Sequence, residues 1–340
     1  MKIAVVTDKS RAEILHNEEG FLEDSFKESV GKAVVKALKS RYDVIRIPFD
    51  QNLVERIRKE RVDLVFNLCN GIEGATRLSQ LPSLLEKHGI PYTGSGPLPH
   101  SIAYNKIFSG KALQASSIPT PGFFTCTKVE ELSDMDLTYP LLVKPKNEGS
   151  SRGIREDSLV HNFKDLTKKV EHLLAHYDPP ALINEYIDGK EFTVGVLGNG
   201  QELLTLPVMG IDFSNLPQKF SRFYSFEVKH HYDDYVRFQI PAKVERHVEE
   251  KIRATAEAAF KALGLRDYAR IDMRVVDGKP YVIEVNSLPG LHREISDLVK
   301  MAKAVGIGYE DLILHIVDSA KRRYEHLSGG DYKTKVFPAV

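Results

Sequence analysis

Tyr268-Ala269-Arg270-Ile271-Asp272-Met273-Arg274-Val275-Val276, then Asp277-Gly278-Lys279, then Tyr281-Val282-Ile283-Glu284-Val285-Asn286 is the stretch on which the reading turns. It predicts two strands joined by a tight turn. Residues two apart on a strand share a face. Arg270 and Asp272 therefore point one way while Ile271 and Met273 point the other, and Glu284 and Asn286 share a face on the second strand. The Asp277-Gly278-Lys279 connection suggests an antiparallel hairpin. A three-residue loop sets Asp272 opposite Glu284 and Arg270 opposite Asn286; a two-residue loop shifts the pairing by one and sends the two sets to opposite faces. The apolar residues Ile271, Met273, Ile283 and Val285 imply one buried face. An oxygen-only set of Asp272, Glu284 and Asn286 suits magnesium, a hard cation held with waters and phosphates. A solvent-facing polar hairpin is the competing reading.

Outward from this hairpin the chain divides into three patterns. Residues 1–117 alternate strand-like runs (Lys2–Val6, Asp43–Ile47, Leu64–Asn67) with helical stretches (Phe21–Leu38, Ser79–His88), which favours parallel pairing with helical crossovers. Thr7-Asp8-Lys9-Ser10-Arg11 after the first strand contains no glycine, so the dinucleotide-binding turn is excluded. Residues 118–207 open at Ile118-Pro119-Thr120-Pro121-Gly122, a linker signal. Strand-like pieces follow at Leu141–Lys144, Ala181–Glu185, Glu191–Leu197 and Glu202–Pro207, with a helix near Phe163–His176. They are expected to form an antiparallel sheet with a helix on it. Residues 208–328 hold a helix over Val244–Leu263, the hairpin, and helices near Ile295–Ala304 and Tyr309–Tyr324. Residues 329–340 read as a tail.

Two further constellations bear on chemistry. Lys144-Pro145-Lys146-Asn147-Glu148-Gly149-Ser150-Ser151-Arg152-Gly153 sets a lysine on a strand before a loop of small residues. Backbone N–H groups and serine hydroxyls in such a loop approach phosphate oxygens closely, although a plain flexible loop reads equally well. Glu185-Tyr186-Ile187-Asp188-Gly189-Lys190-Glu191 places two glutamates around a turn. One carboxylate there accepts from an adenine amino group or a ribose hydroxyl, against the alternative of exposed turn charges.

Composition limits the rest. Lys+Arg and Asp+Glu are each 47 in 340 residues. That balance argues against a nucleic-acid or anionic-membrane partner. Cys69 and Cys126 are the two cysteines and lack metal-ligand spacing, and Cys69 is expected in the core. Neither a signal peptide nor a membrane span is read in the sequence, so a cytoplasmic enzyme is expected.

Taken together, the three constellations resemble the ATP-grasp enzymes, and most closely the D-alanine–D-alanine ligase family. Ile90-Pro91-Tyr92-Thr93-Gly94-Ser95-Gly96, Asn105-Lys106 and Asn286-Ser287-Leu288-Pro289-Gly290 add to the likeness, which runs from about Asp63 to Tyr324. The resemblance implies an α/β and α+β architecture: an N-terminal α/β domain, with nucleotide held between the central and C-terminal sheets. It implies a carboxylate–amine ligase acting through an acyl-phosphate in peptidoglycan precursor synthesis. ATP and two magnesium ions (manganese being an alternative), small amino-acid substrates and a homodimer go with it. By the same resemblance Lys106, Lys144 and Ser151 meet ATP phosphates, Glu185 and Ile187 the adenine side, and Glu191 the ribose. Asp272, Glu284 and Asn286 hold the metal. Arg270, Ser150 and the Gly290 N–H serve the reacting groups, and Lys229 lies on a loop that closes over ATP.

The substrate end departs from the family. Thr7–Glu13 replaces the Gly-Gly-x-Ser-x-Glu stretch, leaving Glu13 as a stand-in or as a surface charge. Asn70-Gly71 replaces His-Gly, and His230 stands where a tyrosine is usual. Arg152 sits inside the serine loop. Arg293 and Ser296 follow Gly290, where short hydroxyl residues are usual; Arg293 binds a carboxylate or is a charge at a helix start. Joining of other amino or hydroxy acids is therefore the alternative reading, and a non-catalytic nucleotide-binding relative the lesser one.

Overall fold

Three sheets take up the strand-like runs of the chain in the computed structural model, in which residues 1–8 and 27–328 are described. The first sheet contains β1 (Lys2–Thr7), β2 (Asp43–Pro48) and β3 (Leu64–Asn67), all parallel, in the order β2-β1-β3. Helices Lys27–Leu38 and Leu53–Lys59 form the crossovers that parallel pairing requires. Ile3, Ala4, Val5 and Val6 are fully buried, as expected of a central strand covered on both faces. Cys69 is a core residue here, with its thiol donating to the Val6 carbonyl at 3.3 Å. Positions 21–26 of the expected first helix, Glu13 and the tail after Ser328 lie outside the described residues.

The second sheet is antiparallel, in the order β4-β7-β5-β6, from β4 (Phe123–Cys126), β5 (Leu141–Pro145), β6 (Leu159–Val160) and β7 (Ala181–Glu185). Helix Phe163–His176 covers one of its faces. Leu166, Val170 and Leu173 pack there on Val143 and Ile183. The Asn162 side chain caps that helix by accepting from the Asp165 N–H at 3.0 Å.

The third sheet runs β11-β10-β8-β12-β13, with β9 on the flank of β8. Its strands are β8 (Lys190–Gly198), β9 (Leu204–Thr205), β10 (Met209–Asp212), β11 (Arg237–Gln239), β12 (Asp267–Val276) and β13 (Lys279–Asn286). Glu191–Leu197 and Glu202–Pro207 thus belong to this sheet and not to the middle one, and the latter shortens to the two residues of β9. Helix Arg246–Ala262 lays Ile252, Ala256 and Phe260 on Val194, Val196, Ile271 and Met273. On the other face, helices Asp297–Ala304 and Tyr309–Ser328 cover Leu197 and Tyr268 and leave the far end of the strands open. Among the described residues no helix is long and apolar enough to cross a membrane.

The β12–β13 hairpin resolves the register question in a way that neither loop length alone supplies. Val276 pairs with Lys279 across the two-residue turn Asp277-Gly278, both residues having positive φ (50° and 70°). That turn by itself would misalign the two polar sets. A bulge at Ile283, however, adds one residue to β13, and beyond it Asp272 pairs with Glu284 and Arg270 with Asn286. Ile283 is consequently only half-buried, whereas Val282 and Val285 lie in the core.

Candidate active site

The open end of the third sheet carries a continuous polar face. On β12 it consists of Arg270, Asp272 and Arg274, which pair across β8 with Gly195, Thr193 and Glu191. Arg270 donates to both Asp272 oxygens at 2.9 Å, a two-pronged carboxylate contact. Asp272 also accepts from the Asn286 amide at 2.9 Å and the Thr193 hydroxyl at 2.6 Å. The third nitrogen of Arg270 reaches Asp297, at the start of helix Asp297–Ala304, at 3.3 Å. Arg274 donates to Glu191 at 3.1 Å and to the Ile187 carbonyl at 2.9 Å.

The second sheet and the helix Lys106–Ala115 supply the facing wall. Asn105 caps this helix through its side-chain oxygen, which accepts from the Ile107 and Phe108 N–H groups. Lys106 then extends its ammonium to Glu284 at 2.9 Å and to the Glu148 carbonyl at 2.5 Å. Lys144, on β5, is buried in the same cavity as Lys106 and Glu284. Burial, with the like charge of Lys106 beside it, brings the Lys144 ammonium down to about 8 despite Glu284 and Glu191. Burial alone would raise the Glu284 carboxyl; Lys106, Lys144 and Arg270 outweigh it and hold the group down to about 2. Burial raises the Glu191 carboxyl, although its Arg274 partner pulls the other way. Four cations (Arg270, Arg274, Lys106 and Lys144) and four carboxylates (Asp272, Glu284, Glu191 and Asp297) thus gather at one cleft.

Above the cleft lies the small-residue loop. Ser150 and Ser151 both take positive φ (54° and 60°), a conformation costly for residues with a Cβ. Arg152 is buried and pairs with Glu148 at 2.9 Å. The loop leads to Ile154, whose carbonyl accepts from the Phe226 N–H at 2.7 Å. That bond fixes the start of helix Phe226–His231, which the Ser225 side chain caps through the Val228 N–H at 3.2 Å. Lys229 and His230 lie on this helix, and the His230 ring centroid is 4.5 Å from that of Phe226.

The other expected site residues divide between the edge of the cleft and the surface. Glu185 is exposed and accepts from the Gly122 N–H at 3.2 Å, on the strand face opposite Lys144, so its carboxylate does not look into the cleft. Ile187 buries its side chain and offers its carbonyl to Arg274. Arg293 is exposed, its guanidinium 5.8 Å from the Tyr309 ring centroid. Ser296 accepts from the His292 N–H at 2.8 Å and holds the turn after Gly290, where an added Cβ would come within 3.0 Å of its hydroxyl. Three residues that the sequence reading passed over join the site: Thr193, Arg274 and Asp297. The first two were accessible from the two-residue period that singled out Arg270 and Asp272. Asp297 carried no such signal, because a separate helix brings it in.

Asp272, Glu284 and Asn286 fit a hard divalent cation by their chemistry. Their donors are all oxygens, Glu284 is held fully ionised, and the Asn286 amide gives its nitrogen to Asp272, which leaves its carbonyl oxygen available. Among the described residues no group of three or more His, Cys, Asp or Glu could hold a metal ion, so a cation here would need Asn286 and phosphate oxygens beside the two carboxylates.

Comparison with known proteins agrees with this geometry. Residues 113–318 match the family model described as D-ala D-ala ligase C-terminus. An uncharacterised protein (y4sG) of Sinorhizobium fredii is 38% identical over 77% of this chain and 75% of its own length. A D-alanine–D-alanine ligase of Pelotomaculum thermopropionicum is 34% identical over 85% of this chain and 90% of its own. The crystal structure of a D-alanine–D-alanine ligase from Bacillus anthracis, complexed with ATP, superposes with a TM-score of 0.74 at 26% identity, covering 96% of this chain and 99% of that one. With the family model spanning more than half of its length and an ATP-grasp arrangement of sheets around the cleft, the chain belongs to the D-alanine–D-alanine ligase family.

Proposed function

We propose that the cleft between the second and third sheets binds ATP and a divalent cation and joins the carboxylate of one amino acid to the amine of another, the D-alanine–D-alanine ligase reaction. One observation carries this reading: Arg270, Asp272, Glu284 and Asn286 share one face, with Lys106 and Lys144 across from it. A carboxylate is a poor electrophile. Transfer of the γ-phosphoryl group to a carboxylate oxygen breaks the β–γ P–O bond, releases ADP and creates an acyl-phosphate. The second amine then attacks the acyl carbon, loses a proton and expels phosphate.

This chain's residues divide the work. Lys106, Lys144 and Ser151 bind phosphate oxygens, Glu191 the ribose, and the Ile187 backbone the base side. Arg270, fixed by Asp272 and Asp297, stabilises charge on the group in transfer, and the Gly290 N–H that on the tetrahedral oxyanion. Ser150 orients substrate. Helix Phe226–His231 brings Lys229 over the phosphates and excludes water that would hydrolyse the acyl-phosphate. Asp272, Glu284 and Asn286 would hold two magnesium ions, or manganese in their place, and bound metal supplies neutralisation of phosphate charge. A homodimer in the cytoplasm acting on small amino acids completes the reading.

Phosphate release with ATP, magnesium and a panel of D- and L-amino acids tests it. Release with D-alanine is expected, and no release with any pair overturns it. Ligation of a different amino or hydroxy acid is a second reading, favoured by the buried Arg152 in the serine loop and by His230 beside Lys229. Turnover of another pair without turnover of D-alanine would establish that reading.

A further inference from the structure

β13 ends at Asn286, and the residue after it points the other way. Asn286 looks into the cleft and gives its amide N–H to Asp272 at 2.9 Å. Ser287 lies on the opposite face with Val285, against helix Pro97–Tyr104, whose Ala103 shares one apolar core with Val285. From that helix His100 places its Nδ1 2.7 Å from the Ser287 hydroxyl. Both side chains are sealed from solvent, His100 fully and Ser287 at 2% exposure. Gly290, the proposed donor to the oxyanion, follows three residues later. The bond therefore sits between two working groups of the site.

An imidazole does not suit this place as mere filler. The His100 Nε2 is buried without a hydrogen-bond partner, which costs stability that an apolar side chain of similar size would not lose. Burial, with the Arg266 charge beside it, brings the ring down to about 3, so it stays neutral and keeps one N–H and one lone pair. Among the described residues the Ser287 contact is the ring's one hydrogen bond. Asn286 is thus fixed at two points. Asp272 holds its amide at the tip, and the His100–Ser287 bond anchors the backbone beside its root. We propose that His100 is a positioning residue, which acts through Ser287 to set Asn286 for the divalent cation. It touches neither substrate nor metal, and the proposal rests on Asn286 being a metal ligand. Outer partners of this kind typically change metal affinity by about tenfold to a hundredfold.

ADP is the probe, titrated calorimetrically into the full chain with magnesium and again with EDTA. Wild type is expected to bind ADP more tightly with magnesium. Ser287→Ala removes the bond with little change of shape, and His100→Leu removes it from the other side. Each is expected to cut the gain from magnesium by about tenfold, with ADP binding in EDTA unchanged. The double variant cuts it no further, because the two residues share one bond. His100→Asn, whose amide reaches the position of Nδ1 and either donates or accepts, retains most of the gain. A purely structural role would instead weaken ADP binding alike with and without the metal. An unchanged gain in Ser287→Ala, an equal loss in EDTA, or additive losses in the double variant overturns the proposal. Absence of any magnesium gain in wild type overturns the metal reading of Asn286, and this proposal with it.

Discussion

Glu284 holds its place between opposing influences, since burial disfavours its charge while Lys106, Lys144 and Arg270 favour it more strongly. It is therefore a carboxylate at every working pH, as a metal ligand must be. Glu284→Gln keeps the shape and removes the charge; turnover is expected to fall at least about a hundredfold with an unchanged circular dichroism spectrum. Lys144 behaves differently. Its ammonium is complete well below about 8 and is lost as pH rises through that value, so the phosphate contact proposed for it weakens in the same direction. The KM for ATP is expected to climb about tenfold between pH 7 and 9.5 in wild type, and to stay nearly flat in Lys144→Arg, whose guanidinium remains charged. The metal-ligand candidates were legible in the sequence because strand periodicity is local. Which face of β7 looks into the cleft was not, since it depends on where helix Phe163–His176 docks. Glu185, the residue singled out by the sequence, accepts from the Gly122 N–H on the face opposite Lys144, while Asn184 shares the face of Lys144.

At the scale of elements, the hairpin shows a local rule corrected by a local irregularity. Asp277-Gly278 announces a two-residue turn, and that turn alone would separate the carboxylates. The bulge restores their alignment and re-aims Ile283 from the core into the cleft. Ile283→Ala is expected to cost less than about 1 kcal/mol of stability while raising the KM for ATP. Val282→Ala, at a fully packed position, is expected to cost about 2 kcal/mol with little change in KM. Denaturant titration beside steady-state kinetics separates the two effects. Helices Pro97–Tyr104 and Lys106–Ala115 were harder to read, because Pro97 and Pro99 look like breakers. Pro97 in fact opens its helix, where no N–H is needed, and Asn105 caps the next. β8 was grouped with the middle segment because adjacency in sequence does not say which sheet a strand enters.

Across the whole molecule, one buried carboxylate joins the parts. Asp267 at the start of β12 is fully buried and accepts from the Gly94 N–H at 2.7 Å, the Asn199 amide at 2.7 Å and Arg323 of the last helix at 2.8 Å. It ties the loop after β3, the third sheet and the C-terminal helix together, beside a core in which Val34 and Leu38 of helix Lys27–Leu38 pack with Leu312 and Ile316. Asp267→Ala would leave the half-buried Arg323 with only the Tyr92 carbonyl and its tyrosine ring contacts, and is expected to cost about 3 kcal/mol, read as a lowered Tm with ATP protecting less than in wild type. The three sheets matter because they set two walls of opposite chemistry against each other and leave a carboxylate to be activated between them. Isotope transfer tests that activation most directly: amino-acid substrate carrying oxygen-18 in its carboxylate is turned over with ATP and magnesium, and the released phosphate is weighed by mass spectrometry. The account predicts one oxygen-18 atom in each phosphate, delivered through the acyl-phosphate, and phosphate without label would contradict it.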